Sequence, residues 1–209
     1  MTINIGWLYP DLMNTYGDRG NIIALSYRLE KMGIKSIVNK ISVNEPADLI
    51  LTMDILFMGG AQDKQQEIVN LDLKNKGSFL KKAINDGVPG LYVCGAYQFL
   101  GKYYKTADGT MIDGLGVFDL YTESPGLNVP RCIGNIVIES KLFPEIKLVG
   151  FENHGGRTYL ADKKLAFATV VYGYGNNGED KTEGIFYKNS FGTYLHGPIL
   201  PKIPRSPII

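Results

Sequence analysis

The 209-residue chain is 44% hydrophobic and 21% charged, a composition that supports a packed core and suits one domain over residues 1–209. Its 22 basic and 21 acidic residues are interspersed and leave a net charge of +1, which argues against nucleic acid or an anionic membrane surface as a partner. No stretch approaches the roughly 20 apolar residues of a spanning helix, and the N-terminus lacks a signal-peptide pattern. We therefore expect a cytoplasmic protein without a direct membrane span.

Strand and helix patterns alternate over the first half of the chain. The predicted strands are residues 2–8, 34–41, 53–58 and 88–93. The predicted helices are residues 21–32 and, with a break near Gly77, 62–86. Strands alternating with helices imply right-handed crossovers, so we expect an α/β fold with a mostly parallel central sheet flanked by helices.

The second half has a different texture, with short β-prone runs separated by Gly, Pro and Asn. These predicted strands are residues 133–139, 148–152, 166–172 and 185–187. The tail, residues 198–209, contains four prolines, which excludes a helix of any length there. We find no internal repeat and no linker that would mark a domain boundary.

Cys94 stands where a buried apolar run meets small residues that open a helix, in Val93-Cys94-Gly95-Ala96. A strand-to-helix turn of this kind can expose a nucleophile, and small neighbours let the two backbones approach closely. The positive end of a helix also favours a thiolate. Tyr92 is bulkier than such a turn prefers, and cysteine is also a common buried packing residue. The pattern alone leaves both interpretations of Cys94 open.

A thiol nucleophile needs a general base, and the chain has two histidines, His154 and His196. His154 lies in a polar, glycine-containing segment, whereas His196 follows a short apolar run at the start of a loop. The end of a strand is the usual place for such a base, so this position favours His196. Either histidine could instead have a structural role.

Two glycine-containing turns could supply backbone donors for an oxyanion, namely Gly60 after one buried strand and Gly95 after another. The segment Gly17-Asp18-Arg19-Gly20 lacks the Gly-Lys-Ser/Thr ending of a phosphate loop, so no nucleotide site is expected in this chain. No His or Cys pair has the close spacing of a zinc site, and we therefore expect no metal.

Five motifs appear together and in order, and they carry a resemblance to a known family. They are Leu8-Tyr-Pro-Asp-Leu-Met-Asn-Thr-Tyr-Gly-Asp-Arg-Gly-Asn21, Gly59-Gly-Ala-Gln-Asp63, Cys94-Gly-Ala-Tyr-Gln98, Glu152-Asn-His-Gly-Gly-Arg-Thr158 and Tyr194-Leu-His-Gly-Pro198. The chain resembles the class I glutamine amidotransferases of the cobyric acid synthase type, and more closely the glutaminase subunits of lipid II isoglutaminyl synthases. The resemblance covers residues 5–202.

The resemblance implies a flavodoxin-like class I glutamine amidotransferase fold that hydrolyses L-glutamine. In such a fold Cys94 attacks the side-chain amide of glutamine, and His196 moves the proton from the thiol to the departing ammonia. The backbone N–H groups of Gly60 and Gly95 hold the oxyanion. Arg131 occupies the place of an arginine that contacts the glutamine substrate, and a guanidinium suits an α-carboxylate.

The resemblance also implies a heterodimer with a MurT-like subunit, a Mur-ligase-like enzyme that uses the ammonia to amidate D-glutamate of the peptidoglycan stem. ATP and Mg are expected on that partner and no cofactor in this chain. Many class I relatives have a glutamate two residues after the histidine, but Pro198 stands there, and Glu152 is the candidate for a third acid. The tail, residues 203–209, departs from the family pattern.

Two alternatives remain open. The first is a catalytically degenerate module of the same fold with a binding or regulatory role, which Tyr92 and the atypical tail would favour. The second is the same glutaminase chemistry serving a corrinoid carboxylate, although cobyric acid synthases carry an ATP-using domain in the same chain.

Overall fold

The computed structural model describes residues 1–61 and 63–203. The helices of this part are α1 (Gly20–Lys31), α2 (Asp63–Asn85) and α3 (Gly95–Phe99), with 3-10 turns at Thr15–Gly17, Ala47–Thr52, Lys163–Leu165 and Leu200–Lys202. The strands are β1 (Thr2–Leu8), β2 (Lys35–Ile41), β3 (Ile55–Met58), β4 (Gly90–Val93), β5 (Tyr103–Lys105), β6 (Met111–Asp113), β7 (Leu120–Glu123), β8 (Cys132–Glu139), β9 (Lys147–His154), β10 (Arg157–Leu160), β11 (Ala168–Tyr172), β12 (Thr182–Glu183), β13 (Ile185–Tyr187) and β14 (Ser190–Thr193).

The central sheet has six strands in the order β13-β14-β4-β3-β1-β2. Strands β2, β1, β3, β4 and β14 are parallel to their neighbours, and only β13 pairs antiparallel, with β14. This arrangement confirms the predicted α/β class with a mostly parallel sheet. Strands β3 and β4 are almost entirely buried, as expected for strands covered on both faces.

The direction in which successive strands are added across the sheet changes between β1 and β3. The crossover through α1 runs from β1 outward to β2, whereas the crossover through α2 runs from β3 in the opposite direction to β4. Right-handed crossovers therefore place α1 and α2 on opposite faces. Such a switch point opens a crevice at the carboxyl ends of the strands, which is where ligands bind in open α/β sheets.

Two smaller sheets are built mostly from the second half of the chain. One has the order β10-β7-β5-β6 and the other the antiparallel order β12-β11-β8-β9. A bridge between Phe151 of β9 and His196 joins the second of these sheets to the loop after β14. The sequence predicted that the second half is rich in strands, and the structure shows which of these strands pair with each other.

Helix α2 continues through Gly77, where the sequence pattern predicted a break. A Cβ at Gly77 would lie 2.4 Å from Leu115 Cδ2, so the glycine lets the segment before β7 pack directly onto the helix. This close approach explains a glycine in a helix interior, which otherwise costs about 1 kcal/mol relative to alanine. The buried face of α2 contributes Val69, Leu73 and Leu80 to the core.

The buried apolar side chains of the helices and sheets form one cluster that extends from Ile5 to Ile203. None of the helices in the described part of the chain has the length and apolar character needed to cross a membrane. The predicted tail lies mostly outside the described residues, since the structure describes that segment only as far as Ile203.

Candidate active site

Cys94 occupies a sharp turn between β4 and α3. Its backbone has φ 53° and ψ −106°, a conformation that an L-residue adopts only when its surroundings impose it. The Cys94 N–H donates to the Thr193 carbonyl at 2.8 Å, and the Cys94 carbonyl accepts from Gln98 N–H at 3.0 Å. These bonds to β14 and α3 hold the strained residue in place. The side chain is 9% exposed and lines a cavity.

Tyr92 does not crowd this turn. Its ring lies back along β4 over Gly90, where a Cβ would come within 2.6 Å of the ring, and it meets Phe118 edge-on at 6.1 Å. Gly90 therefore provides the space that the tyrosine needs. The bulk two residues before Cys94, which favoured a degenerate site, is directed away from the nucleophile.

His196 follows β14 and lies beside Cys94 at the same edge of the sheet. A Cβ at Gly60 would lie 2.7 Å from His196 Cε1 and 3.2 Å from Cys94 Cβ, so both side chains pack against this glycine. The His196 Nδ1–H donates to Asp18 Oδ1 at 3.1 Å, and both residues are almost fully buried. This leaves Nε2, which has no other hydrogen-bond partner among the described residues, for the Cys94 thiol.

The environment of His196 favours its protonated form. Burial by itself would lower the pKa of His196, but hydrogen bonding and charge from Asp18 and Cys94 outweigh burial and raise that pKa to about 10. A buried carboxylate behind the ring therefore stabilises an imidazolium beside the cysteine. The arrangement has the geometry of a nucleophile, a base and an orienting acid.

Asp18 is a functional candidate that the sequence analysis did not identify. It lies in the β1–α1 segment, where the motif Gly17-Asp18-Arg19-Gly20 was considered only as a phosphate loop and rejected. The available signal was its position, since the residues that follow an inner parallel strand reach the crevice at the switch point. Asp18 carries no exposed surface, and its two carboxylate oxygens contact His196 and the Gly60 N–H.

This contact corrects the prediction that the Gly60 N–H holds an oxyanion. The Gly60 N–H donates to Asp18 Oδ2 at 2.7 Å, and the Gly60 carbonyl accepts from Thr15 N–H and Thr15 Oγ1. Both backbone polar groups of Gly60 are therefore engaged in hydrogen bonds within the protein. The next N–H, of Ala61, has no acceptor within the described residues, and Ala61 lines the cavity.

Gly95 retains the backbone position that was predicted for it. It is the first residue of α3, and the N–H groups at the start of a helix have no acceptor within that helix. A Cβ at Gly95 would meet the Gln66 side chain at 3.1 Å. The Gly95 N–H, next to Cys94, is thus one backbone donor for a developing negative charge.

The structure does not bring Glu152, the predicted candidate for a third acid, to His196. Glu152 is fully buried, and its two oxygens accept from the backbone N–H groups of Tyr174 and Gly175 at 2.7 and 2.9 Å. It lies 3.5 Å from His154 Nε2 instead. Glu152 therefore holds the loop after β11 and faces the other histidine.

His154 lines the same cavity, but its side chain is buried and packs against neighbouring residues. Its ring stacks on Tyr194 at a centroid distance of 3.7 Å, and Nδ1 lies 2.8 Å from the Gly156 carbonyl. Burial lowers the pKa of His154 and outweighs the opposing effect of Glu152, so the net shift is opposite to that of His196. This side chain is therefore a neutral packing group at neutral pH.

Arg131 also lines the cavity and lies just before β8. Its Nε donates to Asn153 Oδ1 at 2.9 Å and its Nη2 to the Asn153 carbonyl at 3.2 Å. The cavity between Arg131 and Cys94 has a volume of about 460 Å³, enough for an amino acid. Cys94, His196 and Arg131, which were predicted from separate motifs, thus line one cavity.

Cys132, the other cysteine, is buried in β8, and burial raises the pKa of its thiol to about 11. A thiol in this environment is a poor nucleophile at neutral pH. In the described part of the chain, no group of three or more His, Cys, Asp or Glu side chains is arranged to hold a metal ion.

Comparisons with known proteins agree with this geometry. The model of the CobB/CobQ-like glutamine amidotransferase domain matches residues 4–203. The chain is 53% identical over 193 residues to the lipid II isoglutaminyl synthase (glutamine-hydrolyzing) subunit GatD of Staphylococcus aureus strain N315, covering 92% of this chain and 76% of the relative. It is 47% identical over 201 residues to the GatD subunit of Streptococcus pneumoniae strain ATCC BAA-255 / R6, covering 96% and 75%.

Solved structures support the fold as well. The structure of PurLQS from Thermotoga maritima superposes with a TM-score of 0.59 at 15% identity, covering 97% of this chain and 95% of that one. This likeness confirms the predicted fold class, and the two sequence relatives confirm the resemblance drawn from the motifs. The chain therefore belongs to the CobB/CobQ-like glutamine amidotransferase family.

Proposed function

We propose that this chain is the glutaminase subunit of a lipid II isoglutaminyl synthase. The observation that carries the glutaminase assignment is the strained turn at Cys94 beside the buried His196–Asp18 pair. A cysteine held at such a turn with a charged imidazole beside it is arranged to attack an acyl carbon.

In the proposed reaction, His196 already carries the proton of the Cys94 thiol as an imidazolium, and the Cys94 sulfur attacks the side-chain amide carbon of L-glutamine. The tetrahedral intermediate carries its negative charge on the former carbonyl oxygen, where the N–H groups of Gly95 and Ala61 are the proposed donors. His196 then protonates the departing ammonia, and a thioester remains on Cys94. Because its pKa is raised to about 10, His196 holds the proton that ammonia needs at neutral pH.

Water completes the cycle. It attacks the thioester carbon while His196 accepts a proton from it, and the C–S bond breaks to release glutamate, with its electron pair left on the Cys94 sulfur beside the imidazolium of His196. The net reaction converts one glutamine and one water into one glutamate and one ammonia. Asp18 orients His196 through both steps and stabilises the imidazolium form.

Arg131 is the proposed site for the α-carboxylate of glutamine. Its guanidinium lines the cavity that contains Cys94, and a guanidinium binds a carboxylate with charge-assisted hydrogen bonds. This assignment predicts that Arg131→Ala raises KM for glutamine far more than it lowers kcat.

The acceptor of the ammonia is proposed from the two relatives, both of which are named as glutamine-hydrolyzing subunits of lipid II isoglutaminyl synthase. We propose a heterodimer in the cytoplasm with a MurT-like subunit of the Mur ligase type, which would bind ATP and Mg and amidate the D-glutamate of the peptidoglycan stem. This chain would need no cofactor of its own for the glutaminase step.

The test is glutamine hydrolysis by the purified protein, alone and together with whatever subunit co-purifies with it. Wild-type protein should release glutamate and ammonia, and Cys94→Ser should lose this activity, whereas Cys132→Ser should retain it. Glutamine hydrolysis that survives in Cys94→Ser would overturn the assignment. A co-purifying ligase that amidates lipid II only when glutamine and ATP are both present would support the proposed acceptor.

A further inference from the structure

The residue Tyr16 lines the same cavity as Cys94, His196 and Arg131. It belongs to the Thr15–Gly17 turn and has φ 54°, a left-handed conformation that is unfavourable for a bulky side chain. Although the residue is 48% exposed, its ring meets His196 at 5.0 Å and Phe151 at 5.3 Å, in both cases edge-on. A strained, half-exposed tyrosine is therefore held against the proposed base.

Asn153 connects Tyr16 to Arg131. The Asn153 Nδ2 donates to the Tyr16 Oη at 2.5 Å, and its Oδ1 accepts from Arg131 Nε at 2.9 Å. The Asn153 carbonyl also accepts from Arg131 Nη2 at 3.2 Å. These contacts form a continuous chain from the proposed carboxylate site to the ring that packs on His196.

The turn that contains Tyr16 and the adjoining Asp18 also contact Gly60 and His196. Thr15 donates to the Gly60 carbonyl through both N–H and Oγ1, at 3.1 and 3.0 Å. Asp18 contacts both His196 and the Gly60 N–H. The Thr15–Gly17 turn and the adjoining Asp18 therefore contact Gly60 and His196, both of which lie next to Cys94.

We propose that Tyr16 is a positioning residue that couples occupation of Arg131 by the α-carboxylate of the substrate to the alignment of His196. A bound carboxylate fixes the guanidinium, and through it Asn153 and the Tyr16 ring. An amide without an α-carboxylate adds no partner for the Arg131 guanidinium beyond Asn153, and His196 is then less well aligned for it. The proposal rests on the glutaminase function proposed above and extends it to substrate selection.

Tyr16→Phe tests the coupling because it keeps the ring and removes the oxygen that accepts from Asn153. The rate of covalent labelling of Cys94 is measured by mass spectrometry with two reagents on the full-length protein. One is a chloroketone analogue of glutamine that keeps the α-amino and α-carboxylate groups, and the other is iodoacetamide, which has neither. In each case the cysteine sulfur displaces the halide.

We expect Tyr16→Phe to slow labelling by the chloroketone about tenfold, the effect of losing one hydrogen-bonded link. Iodoacetamide labelling should change by less than about twofold, because that reagent does not use Arg131. Tyr27→Phe is the matched control, since Tyr27 is an exposed tyrosine of α1 that packs against Lys31, and both of its rates should equal those of the wild type.

Two further variants make the result decisive. Asn153→Ala breaks the same chain from the other side and should show the same selectivity between the reagents. In an Arg131→Ala background, Tyr16→Phe should have no additional effect on the chloroketone rate. The coupling is overturned if Tyr16→Phe slows both reagents equally or neither, or if the Tyr16 and Arg131 effects multiply. Failure of the chloroketone to label wild-type Cys94 would instead count against the glutaminase function.

Discussion

At the scale of single residues, the site depends on which carboxylate meets His196. Asp18 does so at 3.1 Å, whereas Glu152 uses both oxygens on backbone N–H groups elsewhere. A carboxylate that accepts from an imidazole fixes the orientation of the ring and stabilises its charge. Removing the Asp18 charge should therefore change both the rate and the titration of His196.

We expect Asp18→Asn to lower kcat/KM for glutamine hydrolysis by roughly 100-fold or more. In wild-type protein, activity should fall on the alkaline side as His196 loses its proton near its raised pKa of about 10. Asp18 raises that pKa, so its neutralisation should move the alkaline limb to lower pH. The measurement is kcat/KM from pH 6 to about 10.5.

Glu152→Gln is the matched comparison for this prediction. It should lower the thermal midpoint, because an amide nitrogen cannot accept from the backbone N–H that one carboxylate oxygen now serves. It should leave the alkaline limb in place. A limb that moves in Glu152→Gln and stays in Asp18→Asn would show that Glu152 is the orienting acid after all.

At the scale of elements, the carboxyl ends of parallel strands bring the site together. The segments after β1, β3, β4 and β14 supply Asp18, Gly60, Cys94 and His196 respectively. Adjacent strands lie about 4.8 Å apart, so groups at neighbouring ends can meet without long loops. The turn after β3 contacts both Cys94 and His196, because a Cβ at Gly60 would lie 3.2 Å from Cys94 Cβ and 2.7 Å from His196 Cε1, so a residue without a side chain fits there.

Gly60→Ala tests this fit. Its Cβ would lie 2.7 Å from His196 Cε1, and Asp18 prevents the ring from moving away. We expect a loss of about 1–3 kcal/mol in the free energy of unfolding, and a fall of kcat by roughly 100-fold or more because His196 is displaced. Urea denaturation and steady-state kinetics measure the two effects.

Gly155→Ala serves as the control, since its Cβ would meet only the Arg131 guanidinium, at 3.1 Å. Because that group is the end of a flexible side chain, this variant should keep kcat and the stability of the wild type and change mainly KM. Full activity of Gly60→Ala would contradict the close packing of the three strand ends.

At the scale of the whole molecule, a buried carboxylate links the sheets behind the site. Glu183 of β12 accepts from Thr193 Oγ1 at 2.6 Å and from the Tyr194 N–H at 2.9 Å, and no part of it is exposed. Its other oxygen has no partner among the described residues. Burial raises the pKa of Glu183 to about 7, so the folded protein favours the protonated form.

A raised carboxyl pKa makes folding less favourable as pH rises. The stabilisation by Glu183 is fully present below the unfolded-state pKa of 4.5 and is lost as pH increases through about 7. Glu183→Gln keeps an oxygen for Thr193 and Tyr194 but cannot ionise. We expect it to remove a pH-dependent loss on the order of 3 kcal/mol between pH 5 and 8.

Thermal and urea unfolding of the wild type and Glu183→Gln over this pH range provide the measurement. Glu139→Gln is the control, because Glu139 is an exposed carboxylate of β8 paired with Lys147 and should leave the wild-type pH dependence unchanged. If the free energy of unfolding changes with pH by the same amount in the wild type and in Glu183→Gln, then Glu183 stays ionised in the folded protein.

The sequence by itself determined the α/β class, the order of most strands and helices, and the positions of Cys94 and His196 at strand ends. Each of these follows from local information, namely hydrophobic period, small residues at a turn and the scarcity of histidines. The family motifs added Arg131. None of these signals depends on how distant segments pair.

The tertiary structure decided what depends on such pairing. Asp18 meets His196 across 178 positions because β1 and β14 end at one edge of the sheet, and no local pattern distinguishes it from Glu152. Gly60 gives its N–H to Asp18 for the same reason, and α2 continues through Gly77 because Leu115 packs there. Local patterns place residues on elements, whereas the packing of those elements selects which polar groups become partners.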